Sequence, residues 1–191
     1  MNVLYAKVAL YSYAHLDSIA EQIDELVTKK AFSSSLNFTP AIKQYEKIVD
    51  LTYQKRVIFA LKLCVEAALE KFTEKEKLCL DYKYFRTKNK EDYAEIDSSS
   101  RGYFRLQVRL AARFAERLER AGFSDARFKD ECLSMDFFRE MLKRVKEKEN
   151  LNRKNKTAEE KEQVKSLKSK IALNAVNRSE TSCDKCNVKT A

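Results

Sequence analysis

The chain has 191 residues, 44% of them hydrophobic and 35% charged, with a formal net charge of +9 and a pI near 9.2. Two glycines and one proline exclude a turn-rich β architecture, and the usage of Leu, Ala, Glu, Lys and Arg points to an all-α protein. The positive balance favours nucleic acid or an acidic surface as partner. No apolar run reaches the length of about 18 residues needed to cross a membrane.

Taken in order, residues 2–13 read as a short helix with Val3, Leu4, Val8 and Leu10 apolar. Residues 15–30 are a clearer one, with Leu16, Ile19, Ile23 and Leu26 on one side. Ser33-Ser34-Ser35 breaks the pattern, and Thr39-Pro40 restarts it as N-cap and first helical residue. Apolar positions then run Ile42, Tyr45, Val49, Thr52 and resume out of phase as Ile58, Leu61, Val65, Ala68, Phe72. That pattern fits two helices, or one long helix that changes partner near Gln54–Val57. Helix 15–30 is expected to pack antiparallel on it as a hairpin. The hairpin either buries its own core or presents a surface to a partner or second copy.

Thr73-Glu74-Lys75-Glu76 is a capping box opening a helix through Arg86, with Leu78, Cys79, Tyr82 and Phe85 apolar. Thr87–Asn89 breaks it, Lys90–Ile96 is a short helix, and Asp97–Ser100 forms a turn and cap. The next helix, through Ala121, carries Arg101, Arg105, Arg109, Arg113 and Arg117 at i, i+4 spacing, joined by Arg120. Tyr103, Phe104, Val108, Leu110, Ala111, Phe114, Ala115 and Leu118 are expected on the opposite, buried side. Like charges four apart repel, so the row is easier to explain if its face meets an anion, which arginine engages through planar, bidentate donors; the alternative is a solvated face of an amphipathic helix in a basic protein. Gly122 stands where a helix stop is expected. Ser124 and Asp125 cap a short helix over 125–133, and Ser134 caps one with Phe137, Phe138, Met141, Leu142 and Val145 apolar. Beyond Lys146 the composition turns to Lys, Asn, Ser and Thr, expected as a fraying helix and a mostly disordered basic tail.

Residues 72–121 add a family resemblance. FTEKEKLCLDYKYFR resembles the first helix of sigma-70 region 4, with Phe72, Glu76, Leu80 and Tyr84-Phe85 in matching places. KEDYAEID and SSSRGYFRLQVRLA are similar to that module's helix-turn-helix. Ala94 takes the small buried position, Ser100 the cap of the recognition helix, and Phe104, Val108 and Ala111 its core positions. Asp97, Ser98 and Ser99 stand where the family has leucine, glycine and an aliphatic residue. In layout the N-terminal half is similar to short sigma-like regulators of Gram-positive phages and their hosts. The resemblance implies a recognition helix in the major groove of promoter DNA, with Arg101, Tyr103, Arg105 and Arg109 toward the duplex. It also implies RNA polymerase as a partner.

Other chemistry is sparse. The lone histidine, His15, reads as a cap or packing residue, and there is no Gly-rich phosphate loop, nucleophile elbow or apolar-set carboxylate pair. The five cysteines are odd in number, and Cys64, Cys79 and Cys132 lie among apolar residues, as reduced thiols in a cytoplasmic protein do. Cys183 and Cys186 form a C-x-x-C, half of a tetrahedral zinc site with nothing nearby to complete it. It reads as two thiols on a basic tail, with a zinc site shared between chains or a disulfide as alternatives.

The expectation is therefore an all-α non-enzyme without cofactor: an N-terminal helical hairpin (1–72), a sigma region 4-like helix-turn-helix (73–122), C-terminal packing helices (123–149) and a basic tail (150–191). It would act as a DNA-binding transcription regulator. Ser99, Ser100, Arg101, Tyr103, Arg105 and Arg109 would supply base and phosphate contacts, and Arg113 and Arg117 would touch backbone phosphate. The alternative is a helical adaptor whose basic face binds an acidic protein.

Overall fold

The structure is a computed structural model that describes residues 1–33, 41–87, 93 and 100–151. Among them no strand occurs: the chain is all-α. Its elements are α1 (Val3–Tyr13), α2 (Leu16–Ser33), α3 (Ala41–Glu70), α4 (Glu74–Leu80), α5 (Ser100–Arg120) and α6 (Asp125–Arg127), with a last helix, α7, over 136–151. The chain divides into two compact units, Met1–Val145 and Lys146–Ala191. In the second unit only the helical residues 146–151 are described, so the expected tail with Cys183 and Cys186 lies outside the described residues. So do the predicted cap Thr39-Pro40, the helix 90–96 (Tyr93 apart) and the turn 97–99.

In the first unit the core is built around α1. Ala6, Val8, Ala9, Leu10 and Ser12 are all buried, so the helix is enclosed on several sides rather than on one stripe. It touches α3, α5 and the turn after α4. Its alanines let those backbones approach, and its aromatic residues lock the flanks. Tyr5 stacks on Phe128 at 5.2 Å, Tyr11 meets Tyr84 edge-on at 4.7 Å, and Tyr13 meets Phe85 at 5.2 Å between ring centroids. Asn2 caps the helix, accepting the Leu4 N–H at 2.9 Å, and its own N–H donates to Asp125 Oδ1 at 2.7 Å.

α3 is one continuous helix, which resolves the phase jump near Gln54–Val57. Its C-terminal half buries Val57, Ile58, Leu61, Val65 and Ala68 in the shared core, and α2 packs alongside it as a second partner. Lys62 on Asp17 (2.6 and 2.8 Å) and Lys55 on Asp24 (2.7 and 2.6 Å) show the two helices running antiparallel. The residues predicted as the inner side of this half are turned out: Ile42, Tyr45 and Val49 are exposed, and Thr52 donates its hydroxyl to the Ile48 carbonyl at 2.8 Å. Gln44, Ile48, Leu51 and Lys55 take the inner positions, because α2 approaches from that side.

The capping box forms as expected. Thr73 N–H donates to Glu76 Oε2 at 3.1 Å and Glu76 N–H to Thr73 Oγ1 at 3.4 Å. The helix it opens does not run to Arg86 as a uniform α-helix. It passes at Asp81–Phe85 into a π turn, closed by the Arg86 N–H on the Asp81 carbonyl at 2.7 Å and ended by Arg86 at φ 54°. A π turn holds one residue more than an α turn, so the facing shifts by a position. Tyr84 turns inward, and Tyr82, expected on the apolar side, stands 47% exposed. The buried Asp81 carboxylate ties the junction together, accepting from the Thr87 N–H (3.4 Å), the Thr87 hydroxyl (2.5 Å) and the Tyr93 hydroxyl.

Gly122 stops α5 at φ 96°, a conformation that L side chains rarely adopt. Ser124 caps α6, accepting the Arg127 N–H at 3.3 Å, and a second π turn follows at Phe128–Cys132. Ser134 does not cap α7: its hydroxyl donates back to the Glu131 carbonyl at 2.6 Å, and α7 begins at 136. Phe114, Phe123, Phe128 and Phe138 fill the centre of this end of the core.

Two substitutions in α1 check its role. Leu10→Ala should cost about 2–5 kcal/mol through the cavity it leaves. Ser12→Ala should be neutral or slightly stabilising, because the buried Ser12 Oγ has no hydrogen-bond partner among the described residues and losing an unsatisfied hydroxyl removes a penalty. Urea unfolding of the full chain, followed by circular dichroism, reads both.

Candidate nucleic-acid interface

Each i, i+4 step advances about 40° round a helix, so the five arginines of α5 do not share one face. From Arg105 to Arg117 the row swings through about 120°, out of solvent and toward the core. Arg105 and Arg109 are exposed and make no ion pair among the described residues. Arg113 pairs with Glu76 of the capping box, and its guanidinium lies 5.2 Å from the Phe72 ring centre. Arg117 is half-buried with its guanidinium 4.0 Å over the same ring, and its buried Nη1 has no hydrogen-bond partner among the described residues. Phe72 thus receives two guanidiniums, and this end of the row clamps α5 to the start of α4. Burial, followed by the charges of Arg113 and Arg120, draws the Arg117 guanidinium below its ordinary value. Glu76 is pulled up by burial. The Thr73 backbone N–H, then Arg113, outweigh that and leave its carboxyl below the usual range.

The buried arc of α5 is Gln107, Leu110, Ala111, Phe114, Ala115 and Leu118, with Tyr103 half-buried beside it. Two residues expected there are turned out: Phe104 is 66% and Val108 68% exposed. The physical reason is Gln107. Its Nε2 donates to the Cys79 carbonyl at 2.7 Å at the α-to-π junction of α4, which holds Gln107 inward on the same face as Leu110, Ala111 and Phe114. Phe104 and Val108 are displaced onto the solvent side next to Arg105 and Arg109. Tyr103 stays in the wall as one of a run of rings, with Tyr93–Tyr82, Tyr82–Tyr103 and Tyr103–Phe104 centroids 5.0, 5.9 and 5.9 Å apart. Burial, then Tyr82 and Cys79, pushes the Tyr103 phenol up.

The result is a mixed outward surface: Arg105 and Arg109 as cations without an ion pair among the described residues, with Phe104, Val108 and Tyr82 as apolar neighbours. Of the other expected contact residues, Ser100 is the first residue of α5, Arg101 lies on its first turn with a side chain outside the description, and Ser99 lies outside the described residues. The signal for Phe104 and Val108 was the glutamine: taken as an inward residue, Gln107 falls at the centre of the 103–118 apolar arc.

Elsewhere the chemistry is quiet. A shallow groove of about 250 Å³ is lined by Leu69, Glu74, Lys77, Leu78, Asp81 and Phe85. Among the described residues no group of three His, Cys, Asp or Glu is placed to hold a metal ion. Burial pushes the Cys132 thiol up to about 12 and raises those of Cys79 and Cys64. Cys64 donates to the Ala121 carbonyl at 3.2 Å. Among the described residues no helix is long and apolar enough to cross a membrane. No family model, curated protein or solved structure matches the chain.

Two measurements separate the clamp from the free end of the row. Arg117→Ala should lower stability by about 1–2 kcal/mol, through the lost guanidinium–ring contact and the lost packing of its stem, whereas Arg105→Ala should leave the melting temperature unchanged. Because the folded carboxyl of Glu76 lies below its ordinary value of 4.5, its contribution is complete above that value and disappears as the pH falls through the lowered one. Glu76→Gln should therefore be less stable than the parent at neutral pH, and the two should converge in acid.

Proposed function

We propose that this chain is a DNA-binding regulator that reads a duplex through the first half of α5. The observation that carries this is the pair Arg105 and Arg109. They stand exposed and unpaired among the described residues while the other end of the same row is occupied by Glu76 and Phe72. Arginine offers two parallel donors to a guanine edge or a phosphate. Phe104 and Val108 between them supply apolar contact of the kind that reads thymine methyl groups. Arg113 and Arg117 hold the helix in position rather than touching DNA. The +9 balance of the chain supports a polyanion as partner. The raised, buried thiols of Cys79 and Cys132 suit a binding protein of the reducing cytoplasm.

One observation favours a second reading. Tyr82, Phe104 and Val108 form an exposed apolar surface, which also suits the rim and centre of a protein interface, with Arg105 and Arg109 meeting acidic residues of an adaptor's partner.

Selection of the full chain against a random duplex library at two salt concentrations tests the two. An enriched motif that survives the higher salt is expected. Arg105→Ala should weaken it by about 1–3 kcal/mol and relax the preference at one position. Binding that never enriches a sequence, and collapses for all duplexes alike as salt rises, is counterion release alone. That result would overturn the regulator and leave the adaptor.

A further inference from the structure

The α2–α3 hairpin runs past the core. None of residues 24–32 or 41–56 is buried, although both helices are continuous there. The α3 half of this arm is about 24 Å long. On its outer side Ile42, Tyr45, Val49 and Tyr53 form one stripe, 72, 69, 46 and 52% exposed. At about 150–250 Å² for a large aromatic side chain and less for the aliphatic ones, the stripe leaves about 500 Å² of mostly apolar surface in water, the size of the largest patch on a monomer, which is often functional.

We propose that this stripe is a self-association surface, on which a second copy of the chain packs its own α3 antiparallel. Three features select a second copy over other occupants. Pairing two stripes would bury about 1,000 Å², the threshold for a specific interface. Between Ile42 and Tyr53 the charged residues are Lys43, Glu46, Lys47 and Asp50, two of each sign, so this stretch of α3 has no cationic surplus to attract a nucleic acid and no net charge to keep two copies apart. All four are exposed and make no ion pair among the described residues. In an antiparallel pair related by a two-fold axis the same flank of each helix meets itself. With the axis near residues 46–47, Lys43 of each copy stands opposite Asp50 of the other.

The inference is independent of the role of α5. Its test is sedimentation of the full chain over the micromolar range, with circular dichroism confirming that each variant is folded. The parent should dimerise, and Tyr45→Glu should be monomeric with an unchanged spectrum. Lys43→Glu and Asp50→Lys should each associate several-fold more weakly than the parent, because each puts like charges opposite one another. A mixture of the two variants should associate more tightly than either alone, because both contacts of the mixed pair again join opposite charges. Three results would overturn the proposal: a parent monomeric throughout, a dimer that survives Tyr45→Glu, or a mixture no tighter than its components.

Discussion

Enclosure of α1 is the constraint from which the rest of the first unit follows. A helix with five buried residues in its 11 must be covered on several sides, and α3, α5 and the turn after α4 provide the cover. Small residues at Ala6 and Ala9 set how near those elements come. The aromatic contacts of Tyr5, Tyr11 and Tyr13 then hold the α6 end, the π turn and its last residue, Phe85, in place. The segments that read in sequence as a hairpin, a helix-turn-helix and packing helices share a single apolar core, because each of them contributes part of the wall round α1.

The arginine helix is positioned by that core and by one polar contact. Gln107 on the Cys79 carbonyl decides which residues of α5 face solvent, and the steady drift of a four-residue repeat decides what each arginine does. Where the row turns toward the protein, Phe72 and Glu76 receive it; where it turns away, Arg105 and Arg109 face solvent without an ion pair among the described residues. A capping-box glutamate serves twice, satisfying the Thr73 N–H and pairing with Arg113. The start of α4 and the middle of α5 are thereby coupled, which keeps the outward half of α5 at a fixed angle to the body that carries it.

The arm formed by α2 and α3 answers to different forces. Its inner contacts are partly buried side chains and the ion pair from Lys55 to Asp24, with a well-exposed carboxylate, and such a pair adds little in water. The continuity of α3 into the core supplies the anchor that the arm itself lacks. A surface that is apolar on its outer side and weakly held on its inner side gains from a partner more than a closed bundle would.

Much of this was legible in the residues. Two glycines, one proline and 3-4 periodicity determine an all-α chain. Thr73 and Ser124 determine where helices begin, through side-chain oxygens that reach a local N–H. Gly122 determines where α5 ends, through a backbone angle few other residues adopt. These are short-range effects, complete within one or two turns. Facing was decided only by tertiary structure. The π turn at Asp81–Phe85 shifts Tyr82 outward, a glutamine takes an inner place ahead of Phe104 and Val108, and α2 meets the side of α3 opposite Tyr45 and Val49. In each case the local pattern permits two rotations of the same helix, and the choice belongs to contacts between residues distant in sequence, which periodicity along one segment does not contain.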